Sequence, residues 1–87
     1  MQKIEVALKN ETGLHARPAS IFVKEASKYM SDIKIIKDAK EYNAKSIIGI
    51  LSIGAGKGDK LTIISEGEDE KEAVEALKAL IESSFGE

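Results

Sequence analysis

An α+β fold of the order βαββαβα is what the sequence predicts, and three observations predict it. Apolar and polar residues alternate with period two in separate short stretches. Longer stretches carry apolar residues at helical spacing, and glycine or polar breaks stand between them. Alternation in the strands points to an antiparallel sheet with one covered face, and the helices must do the covering.

Ile4, Val6 and Leu8 alternate with Lys3, Glu5, Ala7 and Lys9, which makes a half-buried first strand. Thr12 and Gly13 break it. Pro18 marks the first turn of a helix, where its missing N–H would lack a partner anyway. After it Ala19, Phe22, Val23, Ala26 and Met30 recur at helical spacing. That helix is expected to begin near Ala16, with His15 at its mouth, and to end near Met30–Asp32. Ile33 and Ile35 alternate with Lys34 in a second strand. Asp38–Lys40 is a polar break, and Glu41–Ala44 is short enough to pair back as a hairpin. Ala39 tolerates positive φ poorly, so a tight primed turn is not expected there.

Ser46 stands before Ile47, Ile48, Ile50, Leu51 and Ile53 as the N-cap of a short helix ending before Gly54. The segment is apolar nearly all round. Some of Ile47, Ile48 and Leu51 are therefore expected to face solvent or a partner. Gly54, Gly56 and Gly58 invite a phosphate-loop reading, but they precede a strand, and no Ser or Thr follows the Gly56-Lys57 pair. They read as turn residues leading into a strand over Leu61–Ser65. Gly67 closes that strand. Asp69 can cap a last helix, with Glu70 and Glu72 near its positive end. Ala73, Leu77, Leu80, Ile81 and Ser84 form its core stripe.

Residues 1–87 fit one small domain with a single modest core. Thirteen basic against fifteen acidic residues leave a net charge of -2, with no basic excess to suggest nucleic acid. The absence of cysteine excludes a disulfide framework and a thiolate metal site. The start lacks an apolar signal region, and the densest apolar run, Ile47–Ile53, is interrupted by Gly49 and Ser52. A soluble cytoplasmic monomer without membrane insertion is expected.

The chemistry gathers in Thr12–Ser20, T-G-L-H-A-R-P-A-S, which holds the only histidine, the only arginine and the only proline. The first backbone amides of a helix lack intrahelical partners and carry the positive end of its dipole, so they favour anions. Arg17 adds a fixed charge with forked donors suited to phosphate oxygens. Both neighbours disfavour a positive charge on the ring of His15, and neutral imidazole is a nucleophile. The plain alternative is an ordinary surface histidine beside a solvated arginine.

The stretch G-L-H-A-R-P-A closely resembles the active-site motif of the HPr family, histidine-containing phosphocarriers of the bacterial sugar phosphotransferase system. The resemblance runs from end to end. It implies an open-faced β-sandwich, with four strands in the order 1-4-2-3 and three helices on one face. Pattern alone equally allows a ferredoxin-like domain. By resemblance, His15 accepts a phosphoryl group from enzyme I, charged by phosphoenolpyruvate, and passes it to sugar-specific IIA domains. Arg17 and the backbone amides of Ala16 and Arg17 would steady its oxygens, and no cofactor or metal is expected at the histidine. Such a chain is a stoichiometric relay and not an enzyme in its own right. The stretch A-K-S-I-I-G-I-L-S-I-G resembles the branch in which the matching serine, here Ser46, is phosphorylated by an ATP-dependent kinase. A Ser46 kinase/phosphorylase and a catabolite-control transcription factor would then be further partners. Ile47, Ile48 and Leu51, with Ser20 and Lys24 on the first helix, are the expected docking face. The family commonly has glycine where Ala39 stands. Two alternatives of other kinds remain, a small acylphosphatase-type hydrolase and a regulatory homologue that binds a transcription factor without needing His15.

Overall fold

The computed structural model describes residues 1–86, and its strands pair as the alternation requires. β1 (Gln2–Ala7), β2 (Asp32–Lys37), β3 (Lys40–Asn43) and β4 (Lys60–Glu66) form one antiparallel sheet in the order β1-β4-β2-β3. β4 enters the centre, between β1 and β2, so the ferredoxin-like alternative is not the fold found. The register aligns Ile4, Ile63, Ile35 and Tyr42 in one row across all four strands. Ile63 and Ile35 are fully buried, whereas Lys3, Glu5, Lys34 and Glu41 on the opposite face are exposed. Period-two alternation places each set on its own face.

Three helices cover the apolar face. α1 (Ala16–Ala26), α2 (Ile47–Leu51) and α3 (Glu70–Glu82) supply Ala19, Phe22, Ala26, Ile50, Ala73, Val74, Leu77 and Ile81 to a common core. α3 lies on β1 and β4, and α1 packs between α2 and α3. Among the described residues no helix is long and apolar enough to cross a membrane.

Several expectations are corrected. α1 stops at Ala26 rather than near Met30–Asp32, and Ser27, Lys28 and Tyr29 make tightening turn bonds to Val23, Glu25 and Ala26. Met30 drops out of the apolar stripe and is 80% exposed. The β2–β3 turn is the primed turn that Ala39 argued against: Lys37 pairs with Lys40, and the two residues between them, Asp38 (φ 52°) and Ala39 (φ 66°), are both left-handed. Strand register has overridden the local preference. The last helix ends at Glu82 and does not carry Ser84 on its face. A turn at Ser84–Gly86, with Ser84 and Phe85 both at positive φ, instead folds Phe85 back against α3 and α1, where it is buried.

Asp69 occupies the N-cap position of α3, but its side chain makes no capping bond there. Its carboxylate reaches across to the α1–β2 connection and accepts from Met30 N and Ser31 N, both at 2.9 Å, and from the Ser31 hydroxyl. Glu70 takes over at the helix start, accepting from Gly67 N at 3.1 Å and from the N-terminal ammonium at 2.6 Å.

Replacing Ala39 by glycine removes the penalty of a left-handed Cβ and is expected to stabilise the protein by about 0.5–1 kcal/mol in urea unfolding. The Asp69 tether has a pH signature. The Ser31 hydroxyl, followed by the Met30 amide, holds the Asp69 carboxyl below its usual 3.8. A group depressed in the folded state contributes fully above its unfolded value and is lost as pH falls through its lower folded value. Asp69→Ala is therefore expected to melt below wild type at neutral pH, with the gap closing in acid below 3.8. Thermal melts across that range check it, and a gap constant down to the acid limit would contradict the assignment.

Candidate functional site

His15 stands at the N-cap of α1, in extended backbone with φ -74° and ψ 178°, and its side chain makes no capping bond. Its carbonyl accepts the first intrahelical bond, from Ala19 N at 2.8 Å. Pro18 has no N–H, so the amides of Ala16 and Arg17 are the free donors of the first turn. No acidic residue stands in that turn, and Arg17 forms no ion pair among the described residues. His15, Ala16 and Arg17 are exposed while Pro18 and Ala19 are buried, so the helix is anchored from beneath and offers its mouth outward. α3 differs, with Glu70 and Glu72 in its first turn.

Two loops hold this mouth in place. The chain leaves β1 through Asn10–Leu14, and Asn10 Nδ2 donates to Gly13 O at 2.8 Å and to Thr12 Oγ1 at 3.2 Å. Gly13 is left-handed at φ 61°, and a Cβ there would come within 2.4 Å of Ala55 O. Only glycine fits that approach. Leu14 N donates to the same Ala55 O at 3.0 Å. The loop entering β4 is closed by Asp59, which accepts from Gly56 N, and it joins the end of β1 through Leu8 N to Asp59 O and Gly58 N to Leu8 O. Outside, Lys57 donates to Glu11 at 2.7 Å and holds its carboxyl below the usual range.

The remaining predicted residues fall as follows. Ser46 is half-buried at the N-cap of α2, and its Oγ accepts from Gly49 N at 3.1 Å. Ile47, Ile48 and Leu51 are 38%, 77% and 42% exposed, whereas Ile50 of the same helix is fully buried. Ser20 and Lys24 are exposed on α1, against which α2 packs. Sequence reasoning missed Asn10, Ala55 and the Glu11–Lys57 pair. Ala55 and the Glu11–Lys57 pair meet residues up to 46 positions away, which no local pattern announces, and Asn10 bonds locally to Thr12 and Gly13.

Among the described residues no cluster of three or more His, Asp or Glu side chains could hold a metal ion. A surface groove of about 340 Å³ runs beside Asp32, Lys34, Glu41 and Tyr42, and neither His15 nor Arg17 lines it. The histidine works from an open surface. An exposed nucleophile with anion-binding amides can receive a phosphoryl group, but it cannot by itself exclude water from the reaction.

The family model described as PTS HPr component phosphorylation site matches residues 2–83. The HPr-like protein Crh of Halalkalibacterium halodurans is 52% identical over 82 residues, covering 94% of this chain and 98% of that one. Phosphocarrier protein HPr of Mycoplasma pneumoniae is 47% identical over 83 residues, covering 94% of each. Among solved structures, HPr-C-His of Thermoanaerobacter tengcongensis superposes with a TM-score of 0.97 at 53% identity, covering 100% of this chain and 98% of that chain. A structure described as an HPr dimer from the same organism superposes with a TM-score of 0.81 over the whole of both chains, also at 53% identity.

Proposed function

The chain belongs to the HPr family of phosphocarriers, and on that premise we propose that it relays a phosphoryl group through His15, from phosphorylated enzyme I to sugar-specific IIA domains. One observation carries the reading: an exposed imidazole at the start of α1, beside two free amides and an unpaired guanidinium, with no carboxylate in the first turn. A ring nitrogen of His15, Nδ1 by family resemblance, attacks the phosphorus of the donor phosphohistidine. The donor P–N bond breaks, and its imidazole leaves with the electron pair. During transfer, negative charge spreads over the phosphoryl oxygens. The amides of Ala16 and Arg17 and the Arg17 side chain stabilise that charge without capturing the group, so the second transfer remains open. The chain is consumed and regenerated as a carrier, not a catalyst.

Docking falls to Ile47, Ile48 and Leu51 with Ser20 and Lys24. An isoleucine with 77% of its surface in water is a poor use of an apolar side chain unless a partner covers it. Ser46 gives this face a switch. Its phosphate would keep an acceptor for the Gly49 amide, so the fold should survive, while two negative charges beside Ile47 oppose an apolar or acidic partner. A Ser46 kinase/phosphorylase and a catabolite-control transcription factor fit that role, in a cytoplasmic chain acting as a monomer. The regulatory reading draws on the likeness to Crh; its discriminator is His15, which a purely regulatory protein does not need. The hydrolase alternative gives way to the family assignment.

Incubation with enzyme I and phosphoenolpyruvate is expected to place an acid-labile phosphate on His15, visible by phosphorus NMR and lost in His15→Ala. Relay by His15→Ala would end the carrier reading. Arg17→Ala is expected to slow the transfer about tenfold or more, as loss of a transition-state donor does. Kinase treatment at Ser46 is expected to lower the rate of His15 phosphorylation, and an unchanged rate removes the inhibitory role.

A further inference from the structure

We infer that Asn10 is a positioning residue for His15, one that keeps the Gly13 carbonyl away from the free amides of α1; the inference rests on the phosphocarrier reading. Asn10 is 4% exposed. Its Nδ2 reaches Gly13 O at 2.8 Å and Thr12 Oγ1 at 3.2 Å, and its own carbonyl accepts from Gly13 N at 3.2 Å. A carbonyl oxygen can only accept, so the bond to Gly13 fixes which end of the amide faces the loop. The other end, Oδ1, is buried and accepts no hydrogen bond from the protein among the described residues.

Both bonds that Asn10 donates close the loop on itself and join no second element of the fold. What it secures is geometry. Gly13 O lies three residues before Ala16, the spacing at which a turn carbonyl can accept from an amide. Released from Asn10, it reaches the Ala16 amide once His15 leaves its extended backbone, a rotation that carries the imidazole with it and sets this carbonyl in competition with phosphoryl oxygens. Pinned, it leaves that amide free. Gly13 is held from the other side by Ala55, and only Leu14 separates it from His15, so a shift at Gly13 passes directly to the imidazole.

The test compares wild type with Asn10→Ala and with Asn10→Asp, which keeps the size of the side chain but has no Nδ2 donor. Two phosphoryl donors are used. One is enzyme I with phosphoenolpyruvate; the other is phosphoramidate, a small donor from which a ring nitrogen of His15 takes the phosphoryl group as the P–N bond breaks and ammonia leaves. Both variants are expected to lower kcat with enzyme I about tenfold, the scale of a misplaced reacting group, with KM changed by less than about twofold. The same loss is expected with phosphoramidate, at a melting temperature close to wild type. Wild-type rates in both variants would overturn the inference, as would a loss confined to KM with enzyme I, or one that tracks the unfolded fraction. If wild type accepts from phosphoramidate but never from enzyme I, the relay reading fails, while the variants compared with phosphoramidate still decide the role of Asn10.

Discussion

The pairing of β4 with both β1 and β2 is the constraint on which the rest of this structure depends. Because Ala7 at the end of β1 lies opposite Lys60 at the start of β4, the loop leaving one strand and the loop entering the other must emerge side by side. The first carries His15 and the second carries Ala55–Asp59. Their contact, Leu14 N to Ala55 O with Gly13 pressed against the same carbonyl, is a consequence of sheet order rather than of any affinity between the two short sequences. Antiparallel register thus sets the place of His15 beside the Ala55–Asp59 loop.

Electrostatics then separates the three helix starts. α2 satisfies its own first turn with the Ser46 hydroxyl. α3 has Glu70 and Glu72 in its first turn, while the Asp69 carboxylate is spent on the Met30–Ser31 turn. Only α1 combines a first turn without acidic residues and an arginine that forms no ion pair among the described residues. A helix start binds anions in proportion to what the chain leaves unneutralised there. The first turns of α2 and α3 are occupied by side chains of the chain itself, whereas the first turn of α1 is left open beside an exposed His15.

The positions where local preference fails are those where tertiary context dictates the backbone. Asp38 and Ala39 both adopt left-handed conformations because the Ile35–Tyr42 and Lys37–Lys40 pairs fix a two-residue connection, which needs positive φ twice. Ser84 and Phe85 do the same so that Phe85 can cover the core end. Each carries a steric cost of the order of 1 kcal/mol, offset by strand pairing in one case and by burial of an aromatic ring in the other.

Much of this was legible in the chain. Alternation located the strands, Pro18 located the start of α1, and the crowding of isoleucines after Ser46 into a helix too short to bury them marked an exposed apolar surface. Those signals are local, set by side-chain period and by proline's missing donor, and they are enough to set His15 and Arg17 at a helix mouth. Helix ends, the hairpin turn and the role of Phe85 were not legible, since each is decided by what the residue packs against. The same holds for Ala55, whose importance comes from a register joining residues some forty positions apart, and for Asp69, whose carboxylate prefers two amides and a hydroxyl of a distant turn to its own helix. Periodicity and capping chemistry act within a few residues and can be read from order alone. Sheet order and loop-to-loop contact depend on which strand lies between which others, and only the folded chain decides that.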